Sequence, residues 1–435
     1  MIANTAAKLR HRILNSIPIL LLAGGLLATP AQAQFTQQGN KLVGTGAAGA
    51  ASQGESVSLS GDGNTAIVGG PGDNSLAGAA WVYTRSGGVW AQQGSKLVGT
   101  GAVGKATQGW SASVSGDANT AIVGGFNDNS FFGAAWVYTR SGGVWSQQAK
   151  LVGTGALSLQ PAQGASVALS GDGNTAIVGG YGDDAVVGVG FGGAAWVYTR
   201  SAGVWTQQAK LVGTGAAGKA SQGFSVSLSG DGDTAILGGP GDNSSVGATW
   251  VFTRSGGVWT QQGAKLVASD AVGAAQQGFS VSLSGDGNTA IIGGWGDNSG
   301  VGAAWVYTRS GGVWTQQGTK LAGAGAIGPV SQGYSVSLSG DGNTAIVAGP
   351  GENNIVYTRT GGVWTQQGSK LVGTGAVGDA GQGYSVSLSG DASTAMVGGP
   401  LDNSSAGAAW VYAAPAKPLF AGTPGRANCP SGTPA

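Results

Sequence analysis

The stretch Ser56-Val57-Ser58-Leu59-Ser60-Gly61-Asp62-Gly63-Asn64-Thr65-Ala66-Ile67-Val68-Gly69 decides the fold. Its first five residues alternate polar and apolar, the period of a half-buried strand. Gly61-Asp62-Gly63-Asn64 follows as a tight hairpin turn, because Asp-Gly and Gly-Asn tolerate positive φ. Thr65 to Gly69 reads as a second strand. After the loop Gly70-Pro71-Gly72-Asp73-Asn74-Ser75, Ala79 to Thr84 is a third strand, its Trp-Val-Tyr centre favouring β structure. Ser86-Gly87-Gly88 turns the chain into a fourth strand, Val89 to Leu97.

This four-strand unit recurs. The Ser-Gly-Asp turn places its aspartate at 62, 117, 172, 231, 286, 341 and 391. The third-strand string begins at Trp81, Trp136, Trp196, Trp250, Trp305, Ile355 and Trp410. The Gln-Gln…Lys-Leu string starts at Gln37, Gln92, Gln147, Gln207, Gln261, Gln316 and Gln366. Seven units of four short strands, with no helical periodicity after residue 33, predict an all-β fold: a seven-bladed β-propeller with four antiparallel strands per blade. The seventh unit stops at Trp410-Val411-Tyr412, and a spare fourth strand, Phe35 to Leu42, precedes the first unit. The expectation is that this N-terminal strand closes the last blade. The propeller is bounded at 34–413, between a segment 1–33 and a Pro/Gly-rich tail 414–435 read as disordered.

Of 435 residues 87 are glycine, without the Gly-X-Y period of collagen. Charged residues make up 9% against 41% hydrophobic, which excludes a charge-rich disordered chain. Lys8, Arg10 and Arg12, an apolar run from Ile13 to Ala28 and Ala31-Gln32-Ala33 predict a secretory signal peptide. Its removal takes three of the 20 basic residues, leaving 17 against 19 acidic. It also removes His11, the only histidine, so triads and histidine metal sites are excluded from the remainder. The single Cys429 cannot form an internal disulfide. A near-neutral chain with one arginine per blade (Arg85, Arg140, Arg200, Arg254, Arg309, Arg359) argues against nucleic acid. No later apolar run spans a bilayer, which argues against membrane insertion.

The unit resembles the FG-GAP repeat of the integrin α-subunit propeller and of many bacterial exported proteins. That family carries Phe-Gly before the first strand and Gly-Ala-Pro after the second. Here the corresponding residues are Gln53-Gly54 with Gly69-Gly70-Pro71, Gln222-Gly223 with Gly238-Gly239-Pro240, and Gln382-Gly383 with Gly398-Gly399-Pro400. Glutamine replaces phenylalanine. The resemblance covers about residues 35–413 and implies a propeller whose ligand-bearing face carries the loops between strands two and three. The family's calcium loop is the main departure. Calcium needs about six to eight oxygen ligands, and most turns here hold one carboxylate. The expectation is no cofactor, with Asp231 and Asp233 as the one weak calcium candidate.

The loop between strands two and three supplies the candidate ligand contacts. It carries the acids Asp73, Asp128, Asp183, Asp242, Asp297, Glu352 and Asp402. These read either as a carboxylate ring around the channel mouth or as Asx-turns folding their own loops. Its most variable position holds Phe126, Tyr181 and Trp295 among prolines, exposed rings suited to stacking on a sugar or peptide. The aromatics after each Gln-Gly pair (Trp110, Phe224, Phe279, Tyr334, Tyr384) read as packing. Lys41, Lys96, Lys150, Lys210, Lys265, Lys320 and Lys370 fall on the outermost strand and read as edge charges against sheet-to-sheet pairing. The resulting expectation is an exported monomeric binding or surface-interaction module for an extracellular glycan or protein, and not an enzyme. The alternatives are a carboxylate-dependent carbohydrate-active enzyme and a structural filler without a specific ligand.

Overall fold

The computed structural model describes residues 34–415 apart from 184, 187–189, 325–327 and 352. The signal-peptide reading, the tail from 416 with Cys429, and the candidate Glu352 therefore lie outside the described residues. Seven four-stranded antiparallel sheets form seven blades. Blade one runs from the inner strand Ser56–Leu59 through Thr65–Gly70 and Ala79–Ser86 to the outer strand Val89–Gln92. The predicted closure is present. Blade seven consists of Ser385–Leu388, Thr394–Gly399 and Ala408–Ala413, with Thr36–Gln37 as its outer strand. Thr36 pairs with Ala413, Gln37 with Tyr412, and Leu42 bridges to Ala409.

The core lies between blades. One cluster joins Val57, Leu59, Val68, Trp81 and Tyr83 of blade one to Met396, Ala409 and Val411 of blade seven. The third-strand tryptophans Trp81, Trp136, Trp196, Trp250, Trp305 and Trp410 are fully buried. A buried indole N–H needs an acceptor. In blade one it is the Thr45 carbonyl, 2.8 Å from Trp81 Nε1.

Two sets of contacts close the ring around the channel. The glycine of each Ser-Gly-Asp turn meets the next blade backbone to backbone. Gly61 N donates to Gly116 O, Asp117 N to Gly171 O, and the series runs on to Asp391 N donating to Gly61 O at 3.0 Å. A Cβ at Gly116 would lie 3.1 Å from the Gly171 carbonyl, so this close approach favours glycine. Serines on the polar side of the inner strands also stitch neighbouring blades. Ser58 Oγ accepts from Val114 N at 3.1 Å, and Ser56 Oγ donates to the Gly109 carbonyl at 2.9 Å. The polar face of the half-buried strand thus meets both the neighbouring blade and the channel.

The outer strand is not uniform. In blades two and three it is continuous, Val144–Leu151 and Val204–Leu211. In blades one, four and five it breaks after Gln92, Gln261 and Gln316. Those three units carry one more residue and a glycine at φ near +72° (Gly94, Gly263, Gly318), whereas blade six, with Gly368 at φ 58°, absorbs the same extra residue as a register shift within the continuous strand Val363–Leu371. Blade three's longer loop folds into a small hairpin, Ala185–Val186 against Gly190–Phe191.

Candidate functional site

Each inner strand begins at the same end of the channel. The residue just before it projects at the channel mouth: Glu55, Trp110, Ala165, Phe224, Phe279, Tyr334 and Tyr384 in blade order. The inner-strand serines of all seven blades line the cavity beneath, which measures about 200 Å³. Phe224 and Phe279 lie 4.8 Å apart, Phe279 and Tyr334 4.8 Å, Tyr334 and Tyr384 5.3 Å. These residues, read from sequence as packing, form an arc of rings around the mouth. The aromatics expected to contact ligand stack on that arc from the loops between strands two and three. Tyr181 lies 5.6 Å from Phe224, and Trp295 meets Phe279 edge-on at 6.0 Å. Phe126 meets Trp110 edge-on at 4.8 Å and Phe131 at 5.9 Å. The three do not touch one another. They extend the inner rings outward at separate points of one mouth.

Glu55 is the residue that sequence reasoning missed. It stands between Tyr384 and Trp110 in the ring, at a position where most blades carry an aromatic. The signal was available as the one acid in a column of aromatics. Burial pushes its carboxyl up from the usual 4.5 to about 7. Its charge, with burial as the larger cause, raises the Tyr334 hydroxyl to about 12. Folding thus favours the protonated acid. Between about pH 4.5 and pH 7 the folded state binds more protons than the unfolded chain, so stability falls as pH rises through that window. We expect Glu55→Gln to flatten that slope. Melting temperatures of the two proteins compared from pH 4 to pH 8 check this, and parallel curves would refute it.

The carboxylates at the start of the Asp-Asn-Ser loops are placed differently from expectation. They do not ring the channel mouth. Asp73, Asp128, Asp183, Asp242, Asp297 and Asp402 are buried, none more than 2% exposed. Each pairs through one oxygen with a lysine of the outer-strand segment at 2.5–2.6 Å: Lys96, Lys150, Lys210, Lys265, Lys320 and Lys41 respectively. The other oxygen accepts a backbone N–H from the connection that enters the blade. Ala48 N donates to Asp73 Oδ1 at 2.7 Å and Ala217 N to Asp242 Oδ1 at 2.7 Å. The Asx-turn reading of these acids is corrected too, since they fasten a distant segment rather than their own loop. The loops turn because Asn74 and Ser75 adopt left-handed φ of 47° and 56°, a pattern repeated at Asn129–Ser130, Asn243–Ser244, Asn298–Ser299 and Asn403–Ser404. The edge-lysine reading falls with it for these six lysines. Lys370 alone of the seven is exposed.

The turn aspartates are Asx caps as expected. Asp62 Oδ1 accepts from Ser60 Oγ at 2.6 Å and from Asn64 N at 3.0 Å. Partial burial pushes its carboxyl up, but these hydrogen bonds together outweigh that and hold it below the usual range. At the calcium candidate, Asp231 makes the same cap and Asp233 is drawn into an ion pair with Arg254 at 2.6 Å. Among the described residues no three acidic, histidine or cysteine side chains converge to hold a metal.

Glutamine in place of the family's phenylalanine has a structural role. Gln53 is 1% exposed. It accepts from Gly44 N at 2.5 Å and donates to the Gly44 carbonyl at 3.1 Å, clamping the connection that enters the blade. Gln108, Gln163, Gln222 and Gln382 repeat the clamp.

An FG-GAP repeat model matches residues 259–307, from the outer strand of blade four to the third strand of blade five. That match and the seven-bladed architecture fit an FG-GAP β-propeller. No curated protein matches the chain. Among solved structures, the hydrazine synthase of Kuenenia stuttgartiensis aligns over 82% of this chain and 94% of its own length, with 13% identity and a TM-score of 0.49.

Proposed function

We propose that this propeller is an exported binding module that holds a single glycan or peptide ligand at the aromatic mouth of its channel. One observation carries the reading. The units are nearly identical in their strands, clamps, caps and ion pairs, yet they differ at the mouth. The position before the inner strand reads Glu, Trp, Ala, Phe, Phe, Tyr, Tyr, and the variable loop position reads Pro71, Phe126, Tyr181, Pro240, Trp295, Pro350, Pro400. The aromatics there are half-buried against one another, and unlike contributions from the blades, of which only six and seven share the same Tyr and Pro, make one asymmetric surface. Aromatic faces stack on sugar rings and peptide side chains, and Glu55 offers the hydrogen-bond acceptor. Export rests on the basic, apolar and Ala-x-Ala pattern of residues 1–33.

Glycan and peptide arrays test the proposal. The protein is expected to bind a restricted set of array members. Replacing Phe126, Tyr181 and Trp295 together by alanine is expected to weaken that binding at least about tenfold, a loss of about 1.4 kcal/mol, without changing the melting temperature by more than a few degrees. Unchanged binding by this triple variant would move the site away from the mouth.

A further inference from the structure

Six of the seven seams between blades are filled by the same arginine. Arg309 shows the arrangement. Its guanidinium lies over Trp314 at 5.3 Å. It donates to Asn288 of its own turn at 2.9 Å. It also donates to Thr234 and Gln262 of the preceding blade at 3.3 and 3.2 Å. The charges of Asp286 and Asp231, from the turns of those two blades, flank it. Arg359 repeats each contact with Trp364, Asn343, Thr289 and Gln317.

Blade seven breaks the series. The backbone register is kept, since Ala414 N donates to Ser393 O at 2.8 Å just as Arg309 N donates to Asn288 O. The arginine position is therefore alanine. Its platform is Phe35, the counterpart of Trp314 at the head of the closing strand. The partners remain. Thr344, Gln367, Asp341, Asp391, Ser393 and Phe35 line a cavity of about 660 Å³ at this seam. Gln367 receives neither an arginine nor an indole N–H here. It turns its amide to Thr358 Oγ1 instead, at 2.6 Å.

We propose that the seam between blades six and seven is a guanidinium site, filled by an arginine side chain that the blade itself does not supply. The pocket offers what the six occupied seams offer their arginines: an aromatic face, a threonine hydroxyl and an amide oxygen from the preceding blade, and two flanking carboxylates. A planar fork of donors fits that set, whereas a lysine ammonium does not reproduce it. The guanidinium has two possible sources. One is another molecule. The other is this chain's own Arg426, in the segment that continues from Pro415 at the lip of the pocket.

Titration calorimetry of the full-length protein with Nα-acetyl-arginine amide, and separately with the lysine analogue, tests this. The same pair of titrations is run on Arg426→Gln. Arginine-selective binding to the unaltered protein supports the site with an external source. Binding that appears only in Arg426→Gln supports the site with Arg426 as occupant. In whichever protein binds, Ala414→Arg is expected to abolish binding and raise the melting temperature, because it restores the arrangement of the other six seams. Thr344→Val, which keeps the side-chain shape, is expected to weaken binding about tenfold if Ala414→Arg fails to fold. No binding in either protein, equal binding of the lysine analogue, or binding indifferent to both substitutions would overturn the proposal.

Discussion

A chain that begins at Ala47 is expected to lose several kcal/mol of stability. Residues 35–42 supply the outer strand of the last blade, so their loss exposes the third strand, Ala408–Ala413, as a new sheet edge. Three further contacts go with them. Asp402 loses Lys41 and becomes a buried carboxylate without a cation. Gln53 loses its clamp to Gly44, and Trp81 Nε1 loses the Thr45 carbonyl. An uncompensated buried charge alone costs about 3–5 kcal/mol, against a net stability of about 5–15 kcal/mol for folded proteins. Urea denaturation of the two chains checks this. The short chain is expected to unfold at a clearly lower midpoint. Coincident transitions would show that the ring does not depend on its N-terminal strand.

The second large effect is expected at the repeated ion pairs. Lys265→Met in blade four leaves the Asp242 carboxylate buried with only the Ala217 N–H for company. The expected loss is about 3–5 kcal/mol. Asp242→Asn combined with Lys265→Met removes both charges while keeping an acceptor for Ala217, and is expected to recover most of that loss. The coupling from the double-mutant cycle should then exceed the roughly 0–1 kcal/mol of an exposed pair. Additive single effects would mean that these lysines are edge charges after all.

The strands, the blade count and the closure were legible in the sequence because backbone periodicity and turn chemistry are local. Ser56 to Gly69 announces two strands and their hairpin without reference to any other residue. What the sequence concealed is pairing between residues far apart in the chain. Lys265 and Asp242 lie 23 positions apart, and nothing local in Gly-Asp-Asn-Ser or Ala-Lys-Leu shows that they meet in the interior. The same holds for Gln53 and Gly44, which read as a departure from the family motif until the clamp is seen. The alternation of the inner strand marks two faces, but period two does not say that the polar one meets another blade as well as the channel. The aromatics after Gln-Gly do pack, as read, but against one another across blades. In one unit Phe279 is a residue beside a core strand, and only the ring closure sets it beside Phe224 and Tyr334 at a shared mouth. Glu55 could have been found by reading the repeat as a column.

Hydrogen–deuterium exchange, with and without the strongest-binding array member, tests the central claim most directly. Binding at the mouth predicts added protection in the segments that build it, around 53–56, 108–111, 124–128, 179–183, 222–225, 277–280, 293–297, 332–335 and 382–385. Backbone amides on the opposite end of the channel, at the Ser-Gly-Asp turns, should be unaffected. Protection confined to those turns or to the outer strands, with the mouth unchanged, would contradict the claim that the seven blades differ in order to shape one binding site.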